Sequence, residues 1–322
     1  MARKIDWESH VGRRIRLRDL HVFLAASQHG SMARAAAHLG VSQPAVSEII
    51  SNLEHAVGVK LLDRGPHGVE PTIYGRALLQ RSVAAFDELK QGVREIEHLA
   101  DPSSGELRIG SAESIAASIL APVVQSFSTQ YPNVILQVDP LTSPTLAPTL
   151  LRNRALDIVL ARFGWEGWED ADDLHIETLF EDYLVVVAAK SSPWARRRKI
   201  DIAELINEPW LLLTPDTWNN RVIGDALRAR GLKMPKIPIV TFSFHVRATL
   251  VSTGSFISAL PNSTVRLSGH RYPLKVLPIE LPHRPWPLGI VKLKHRTLSP
   301  VAELFVERLR AFTASYLAEW KP

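Results

Sequence analysis

The sequence predicts an α/β protein with an all-α winged helix-turn-helix segment at its N-terminus. Two short helical patterns flank a tight turn between residues 30 and 57, and one helical stripe spans residues 73–99. Strand and helix patterns then alternate from residue 106 to the end of the chain. Such alternation is typical of parallel α/β sheets.

The first pattern contains the signals that begin and end two helices. Ser31 is a good N-cap for the Ala-rich stretch MARAAAHL, and Gly40 follows its last residue, where a left-handed conformation is usual. Ser42 begins a second helix with Pro44 in its first turn, where proline costs little. Apolar residues at helical spacing predict one buried face of this helix, namely Val46, Ile49, Ile50, Leu53 and Val57.

The opposite face of the second helix is polar. In a helix-turn-helix, this face offers its N-terminal residues to base edges in the major groove. Gln43 can pair with adenine, Ser47 can reach a base or a phosphate, and Pro44 and Ala45 can contact a thymine methyl group. Ordinary helix-start chemistry is the alternative for Gln43 and Ser47. Glu48 either accepts from cytosine N4 or is only a charge on the helix surface, and we favour the second interpretation.

A basic hairpin follows these helices. The segment LLDRGPHGVEP predicts two short strands with a tip near residues 66–68. Arg64 is expected on a phosphate or in the minor groove. His67 lies at the tip, where its contact would weaken above its pKa. The full set of expected DNA contacts is Ser31, Ser42, Gln43, Pro44, Ala45, Ser47, Glu48, Arg64 and His67.

Composition excludes several classes of protein. The chain has no Cys, so disulfides, thiolate metal sites and a Cys nucleophile are excluded. No stretch of 18 apolar residues exists, so we expect a soluble, cytoplasmic protein without a membrane partner. No G-x-S-x-G, H-E-x-x-H or Walker A motif is present, and the 12 His show no zinc spacing. We therefore expect no catalytic residues, no metal and no cofactor.

The positive charge is concentrated near the N-terminus. Residues 1–85 hold 11 Lys and Arg against 7 Asp and Glu, a net +4 out of +5 for the whole chain. Phosphate binding requires such an excess. An ordinary solvated surface explains it equally well.

Residues 73–99 form one long helical pattern with an apolar stripe. The stripe residues are Leu79, Val83, Phe86, Leu89, Val93 and Ile96. The stripe lies beyond the helix-turn-helix, so a second copy of the chain is its expected partner. Packing on its own chain is the alternative. DPSSG, residues 101–105, then ends the helix and predicts a hinge.

Strand and helix patterns then alternate in two sets. The first set has the strands LRIG, VILQV and DIVLA, with helices at residues 115–131 and 145–153. The second set has the strands YLVVVAA, WLLL, IPIVT and FISAL, with helices at residues 219–230 and 244–252. The strand VKLK and an amphipathic helix at residues 300–317 close the chain. This order predicts two α/β lobes with a long return.

The stretch from Leu17 to Pro71 resembles the DNA-binding domain of LysR-type transcriptional regulators. The matching features are LHVFLAASQHGSMARAAAHLGVSQPAVS, the pair Leu53-Glu54, LLDR ending at Arg64, and PT..G ending at Gly75. LTSPTLAPTLLRN, LDIVLAR and EPW resemble the branch named for a galactose-binding-protein regulator. The two α/β lobes resemble the type-2 periplasmic-binding-protein fold, which is the effector domain of this family.

The resemblance implies a domain order and a function. The expected domains are a DNA-binding domain at 1–72, a linker helix and hinge at 73–104, and an effector domain at 105–322, with lobe I at about 105–163 and 265–322 and lobe II at about 164–264. The implied protein binds double-stranded promoter DNA as a homodimer or homotetramer, responds to a small-molecule effector and contacts RNA polymerase. The alternative is a cytosolic solute-binding or accessory protein without DNA binding, which Glu48 and His67 would favour.

Polar residues follow the predicted strands, where open α/β sheets bind ligands. The effector candidates are Ser111, Glu113, Ser114, Thr142, Ser143, Arg162, Phe163, Thr214, Asn219 and His245. Together they suit a small polar or carboxylated ligand. Each residue alone is also explained as a simple N-cap. Glu113 disfavours an anion and points to a hydroxylated sugar or a cationic group.

Overall fold

The computed structural model describes most of the chain. The described residues are 14–65, 68–101, 104–141, 145–163, 172–214, 217–269, 271–282 and 285–319. The chain forms two compact units, residues 1–92 and 93–322. No described helix is both long enough and apolar enough to span a bilayer.

Three helices form the core of the first unit: α1 (Leu17–His29), α2 (Met32–Leu39) and α3 (Gln43–Val57). Ser31 accepts from the backbone N–H of Arg34, and Ser42 accepts from that of Ala45, at 3.4 Å in each case. Both serines are therefore the N-caps that the sequence predicts. The helices pack around Phe23, Val46 and Ile50, each of which is fully buried.

A two-stranded wing follows, and a glycine allows it to lie against the α1–α2 turn. Strand β1 (Leu62–Gly65) pairs antiparallel with β2 (Gly68–Pro71). Gly68 has a φ of +126°, and a Cβ there would lie 2.1 Å from the carbonyl oxygen of Gly30. The neighbouring Val69 N–H donates to that same oxygen at 3.0 Å. Helix α4 (Ile73–Ala100) then begins.

Lobe I contains a five-stranded sheet in the order β4-β3-β5-β12-β6. Its strands are β3 (Ser104–Ser111), β4 (Asn133–Pro140), β5 (Ile158–Arg162), β6 (Leu174–Asp182) and β12 (Trp286–Leu293). Strand β3 is parallel to β4 and β5, whereas β12 is antiparallel to β5 and β6. Its helices are α5 (Glu113–Ile115), a π-helical segment (Ala116–Leu120), α6 (Ala121–Gln130), α7 (Leu146–Arg152) and α11 (Pro300–Glu319).

Lobe II contains the second sheet, in the order β11-β7-β10-β8-β9. Its strands are β7 (Leu184–Ala189), β8 (Trp210–Leu212), β9 (Ile239–Val240), β10 (Ile257–Pro261) and β11 (Leu274–Val276). Strands β10, β8 and β9 are parallel, and β7 is antiparallel to β10 and β11. The helices of this lobe are α8 (Trp218–Arg228), α9 (Phe244–Ser252) and α10 (Asn262–Ser268).

The lobe boundaries differ from those expected from the sequence. Strand β6 falls in the stretch assigned to lobe II, but it pairs with β12 in the sheet of lobe I. Strand β11 falls in the stretch assigned to lobe I, but it pairs with β7 in lobe II. Both sheets are mixed rather than wholly parallel, because β12 is antiparallel to β5 and β6, and β7 is antiparallel to β10 and β11. Each misplaced strand pairs with a strand more than 80 residues away, as the register Leu174↔Leu293 and Leu274↔Ala189 shows, and local sequence patterns carry no signal for such pairing.

Candidate functional site

Helix α3 exposes the residues expected to contact DNA. It buries Val46, Ile50 and Leu53 against α1 and α2, so its opposite face is left to solvent. The residues on that face are the exposed Gln43, Pro44 and Glu48 and the half-buried Ala45 and Ser47. Of the two capping serines, Ser42 is exposed and Ser31 is half-buried. A polar helix start with an exposed amide suits hydrogen bonding to base edges.

Glu54 anchors the wing to α3, a role that the sequence reasoning did not assign. Its side chain is only 4% exposed and accepts hydrogen bonds from Lys60 Nζ (2.7 Å) and from the backbone N–H groups of Leu61 (2.9 Å) and Leu62 (3.2 Å). Burial opposes ionisation of this carboxyl group, but the three hydrogen bonds outweigh burial and lower its pKa. The only local signal was its place in the pair Leu53-Glu54.

The wing carries the basic residue expected to contact phosphate. Arg64 lies on β1 opposite Val69 of β2, and its side chain is exposed. His67, the other wing residue expected to contact DNA, lies outside the described residues. Glu54 anchors the start of β1, two residues before Arg64, and so fixes the backbone of the strand that carries this guanidinium.

The apolar stripe of α4 divides into two parts. Leu79, Val83 and Phe86 are half-buried, and the Phe86 ring lies 5.8 Å from the His21 ring of α1. The remaining stripe residues are exposed: Leu89 by 51%, Val93 by 55% and Ile96 by 68%. The first part therefore packs at least partly on its own chain, and the second part leaves an unpaired apolar surface.

A buried network around an ion pair of lobe I joins the two lobes. Arg162 donates from Nε (3.1 Å) and Nη2 (2.9 Å) to Asp182 Oδ2 at the end of β6. The same Nη2 donates to Ser263 Oγ and Thr264 Oγ1 of α10, at 3.2 Å in each case, and Nη1 donates to Ser114 Oγ at 3.4 Å. Burial lowers the pKa of Arg162, and Asp182 opposes this shift. Arg162 and Ser114 thus lie at the lobe junction, as part of a network that the sequence did not reveal.

Glu113 forms the second link between the lobes. Its carboxylate accepts hydrogen bonds from Phe244 N (2.8 Å), His245 N (3.1 Å) and Ser243 Oγ (3.2 Å) at the start of α9. His245 is exposed, and its Nδ1 lies 2.8 Å from the Tyr272 hydroxyl. Glu113 is thus the partner of a helix N-terminus in the other lobe.

The other effector candidates are more scattered. Ser111 and Phe163 are buried, and Thr214 and Asn219 are half-buried. Within the described part of the chain, no hydrogen bond links these four residues to Glu113, Ser114, Arg162 or His245. Thr142 and Ser143 lie outside the described residues.

Arg247 of α9 is a buried cation that sequence reasoning did not select. It is 3% exposed, and its Nη1 donates to the carbonyl oxygen of Ala259 at 3.3 Å. Its Nε has no hydrogen-bond partner among the described residues. Burial lowers its pKa to about 10, an effect that the charge of Glu113 opposes and the charge of Arg162 reinforces. The available signal was an Arg within the largely apolar run FHVRATLV.

Comparison with known proteins identifies similar domains in both units. Residues 17–76 match the model of the bacterial regulatory helix-turn-helix protein, lysR family, and residues 100–314 match the LysR substrate binding domain. The chain is 27% identical to the HTH-type transcriptional regulator GbpR of Azospirillum brasilense over 299 residues, which are 92% of this chain and 86% of that protein.

Solved structures share the fold. A full-length CbnR complexed with its target DNA has a TM-score of 0.60 and 21% identity, and the match covers 92% of this chain and 100% of that chain. A full-length OxyR variant from Pseudomonas aeruginosa has a TM-score of 0.63 and 21% identity, and the match covers 92% of this chain and 97% of that chain.

Proposed function

The chain belongs to the LysR family of DNA-binding transcriptional regulators, and from this premise we propose which of its residues bind DNA, the effector and a second copy. The chain joins a helix-turn-helix domain to an effector-binding domain. LysR regulators are not enzymes. This membership argues against the alternative of a solute-binding protein without DNA binding.

We propose that α3 enters the major groove of double-stranded promoter DNA. The observation that carries this proposal is the separation of its two faces: Val46, Ile50 and Leu53 are buried, whereas Gln43 is exposed at the helix start. Gln43 and Ser47 then read base edges, and Arg64 of the wing neutralises a phosphate. The remaining proposed contacts are Ser31, Ser42, Pro44, Ala45, Glu48 and His67.

A small polar or carboxylated metabolite binds between the lobes of the effector domain in this proposal. Hydrogen-bonding groups of both lobes meet there, since Glu113 and Arg162 of lobe I contact Ser243 and Ser263 of lobe II. A ligand that binds one arrangement of the lobes more tightly than another shifts their equilibrium. The other proposed effector residues are Ser111, Ser114, Thr142, Ser143, Phe163, Thr214, Asn219 and His245.

The proposed assembly is a homodimer joined along α4, with a dimer of dimers as the larger form. The exposed Leu89, Val93 and Ile96 give this helix an apolar face that a second copy would cover. Two copies place two recognition helices on one face of the DNA, so the expected operator is an interrupted palindrome. We further propose that the regulator acts in the cytoplasm and contacts RNA polymerase.

Fluorescence anisotropy with labelled promoter DNA tests this function. The full-length protein is titrated with DNA from the region upstream of its own gene and with a shuffled control of equal length. We expect preference for the promoter fragment and an affinity that falls steeply with salt, because phosphate contacts release counterions. A panel of sugars, sugar acids, aromatic acids and amino acids is then added, and the effector should change the affinity. Equal, weak binding to both DNA fragments would contradict the proposal.

A further inference from the structure

A side chain of lobe I occupies an anion-binding position in lobe II. Glu113 accepts three hydrogen bonds at the start of α9, from Ser243 Oγ, Phe244 N and His245 N. The free N–H groups of a helix N-terminus, together with the helix dipole, bind anions. The position is also reachable, because Glu113 and Ser243 are only half-buried and His245 is exposed. The protein thus fills an accessible anion site with its own carboxylate.

Arg247 of the same helix lacks, among the described residues, a partner that matches its charge. Arg247, in the first turns of α9, is 3% exposed, and its Nε has no hydrogen-bond partner in the described part of the chain. Its Nη1 donates to the neutral carbonyl oxygen of Ala259 at 3.3 Å. Arg162, the other buried cation nearby, is already paired with Asp182. A buried cation without an ion pair is unfavourable, and no carboxylate of the described residues forms an ion pair with Arg247.

We propose that the start of α9 and Arg247 form the carboxylate-binding part of the effector site, and that Glu113 fills this site until a carboxylate-bearing metabolite displaces it. The inference rests on the proposed function, since it places the ligand between the lobes. The ligand class follows from the present occupant, because a free carboxylate can accept the same three hydrogen bonds and carries the same charge as Glu113. On this view Glu113 competes with an anionic ligand and does not exclude one.

The same exchange connects ligand binding to lobe movement. Glu113 belongs to lobe I and α9 to lobe II, so displacement of Glu113 removes three hydrogen bonds between the lobes. The pair Arg162–Asp182 and its contact with Ser263 persist and act as the remaining connection. The lobes then gain freedom to change their angle while they stay joined at the crossing strands.

Removal of the Glu113 carboxylate tests the inference. The full-length protein is titrated with acetate and benzoate, with acetamide and benzamide as uncharged counterparts and sodium chloride to hold ionic strength constant. We expect Glu113→Gln to bind the two carboxylates about tenfold more tightly than wild type, because the competing charge is gone. The matched control Glu307→Gln, at an exposed position of α11, should bind them as wild type does. The uncharged amides should show no gain in any variant.

Arg247 variants complete the test. Adding Arg247→Met to Glu113→Gln should abolish the gain in carboxylate affinity. Adding Arg247→Lys to Glu113→Gln should retain part of this gain. Circular dichroism first shows that each variant is folded. If folded Glu113→Gln binds acetate and benzoate no more tightly than wild type, the inference is overturned. It also falls if the amides gain as much as the carboxylates. Promoter binding by the wild-type protein distinguishes the failure of this inference from the failure of the proposed function. If the wild type binds promoter DNA and an uncharged metabolite changes that affinity, the proposed function stands and only the carboxylate site is lost.

Discussion

Arg162 and Asp182 form a buried, hydrogen-bonded ion pair at the crossing between the two lobes. The Arg162 Nη2 to Asp182 Oδ2 distance is 2.9 Å, and the two side chains are 8% and 0% exposed. Asp182 also accepts from the backbone N–H (3.1 Å) and hydroxyl (2.6 Å) of Ser263 at the start of α10. The Asp182 carboxylate therefore links β6, the strand of lobe I that precedes the crossing, to α10 of lobe II.

Asp182→Asn should strongly destabilise the effector domain. The substitution leaves the Arg162 guanidinium buried without a counterion, which typically costs about 3–5 kcal/mol. Urea denaturation measures the loss in free energy of unfolding. Glu177→Gln is the matched control, because its ion pair with Arg310 is 26% and 50% exposed and should contribute at most about 1 kcal/mol. Equal losses in the two variants would contradict the role assigned to Asp182.

Glu54→Gln should weaken the attachment of the wing and remove part of the pH dependence of stability. The pKa of Glu54 in the folded protein lies below its ordinary value of 4.5, so its ionised form stabilises the fold above that pH. This contribution is lost as pH falls through the folded pKa. We expect a loss of about 1–3 kcal/mol at pH 7 that shrinks in more acidic solution.

Urea denaturation of the wild type and of Glu54→Gln at pH 7 and near pH 4 provides this comparison. Glu70→Gln, an exposed position on β2 of the same wing, is the control and should follow wild type. A constant difference between Glu54→Gln and wild type across this range would refute the electrostatic contribution.

Gln43→Ala should relax sequence specificity at one base pair. A side-chain amide that pairs with adenine contributes about 1–3 kcal/mol of discrimination. Anisotropy with promoter DNA and with single-base variants measures the change. Gln80→Ala removes an exposed amide from α4 and should leave specificity intact. If Gln43→Ala distinguishes site from non-site DNA as well as wild type does, α3 is not the recognition helix.

Arg64→Ala should weaken binding to all DNA sequences alike. Loss of one phosphate contact lowers the slope of log affinity against log salt by about 1. The slope is measured with specific and with shuffled DNA. Arg81→Ala, at an exposed position of α4, should leave the slope unchanged. A loss of affinity confined to one DNA sequence would instead place Arg64 on a base.

Ile96→Asp should disrupt the dimer. Ile96 is 68% exposed on α4, so a charge there opposes burial against a second copy with little effect on the fold of one chain. Phe86 is a poorer test position, because its ring packs near His21 within the same chain. Sedimentation equilibrium measures the mass, and Glu95→Lys, at the neighbouring exposed position, is the control. An unchanged dimer mass for Ile96→Asp would rule out the α4 seam.

Local signals predicted the DNA-binding unit closely. The caps Ser31 and Ser42, the glycine after each helix and the spacing of Val46, Ile50 and Leu53 all act within a few residues, and the structure has those helices where the sequence predicts them. The strands and helices of the two lobes were largely predicted for the same reason. Strands β6 and β11 and helix α10 were missed.

The amino-acid sequence by itself determined the helix-turn-helix, the wing and the alternation of strands and helices, because capping, periodicity and turn chemistry are short-range effects. Only the tertiary structure decided which sheets strands β6 and β11 join and which charged groups meet. Glu113 and Phe244 are 131 residues apart in the chain, yet their hydrogen bond links the two lobes. Arg162 and Asp182 are joined only because β5 and β6 both pair with β12. Pairing over such distances depends on backbone hydrogen bonding and burial in the complete fold, which no local sequence pattern encodes.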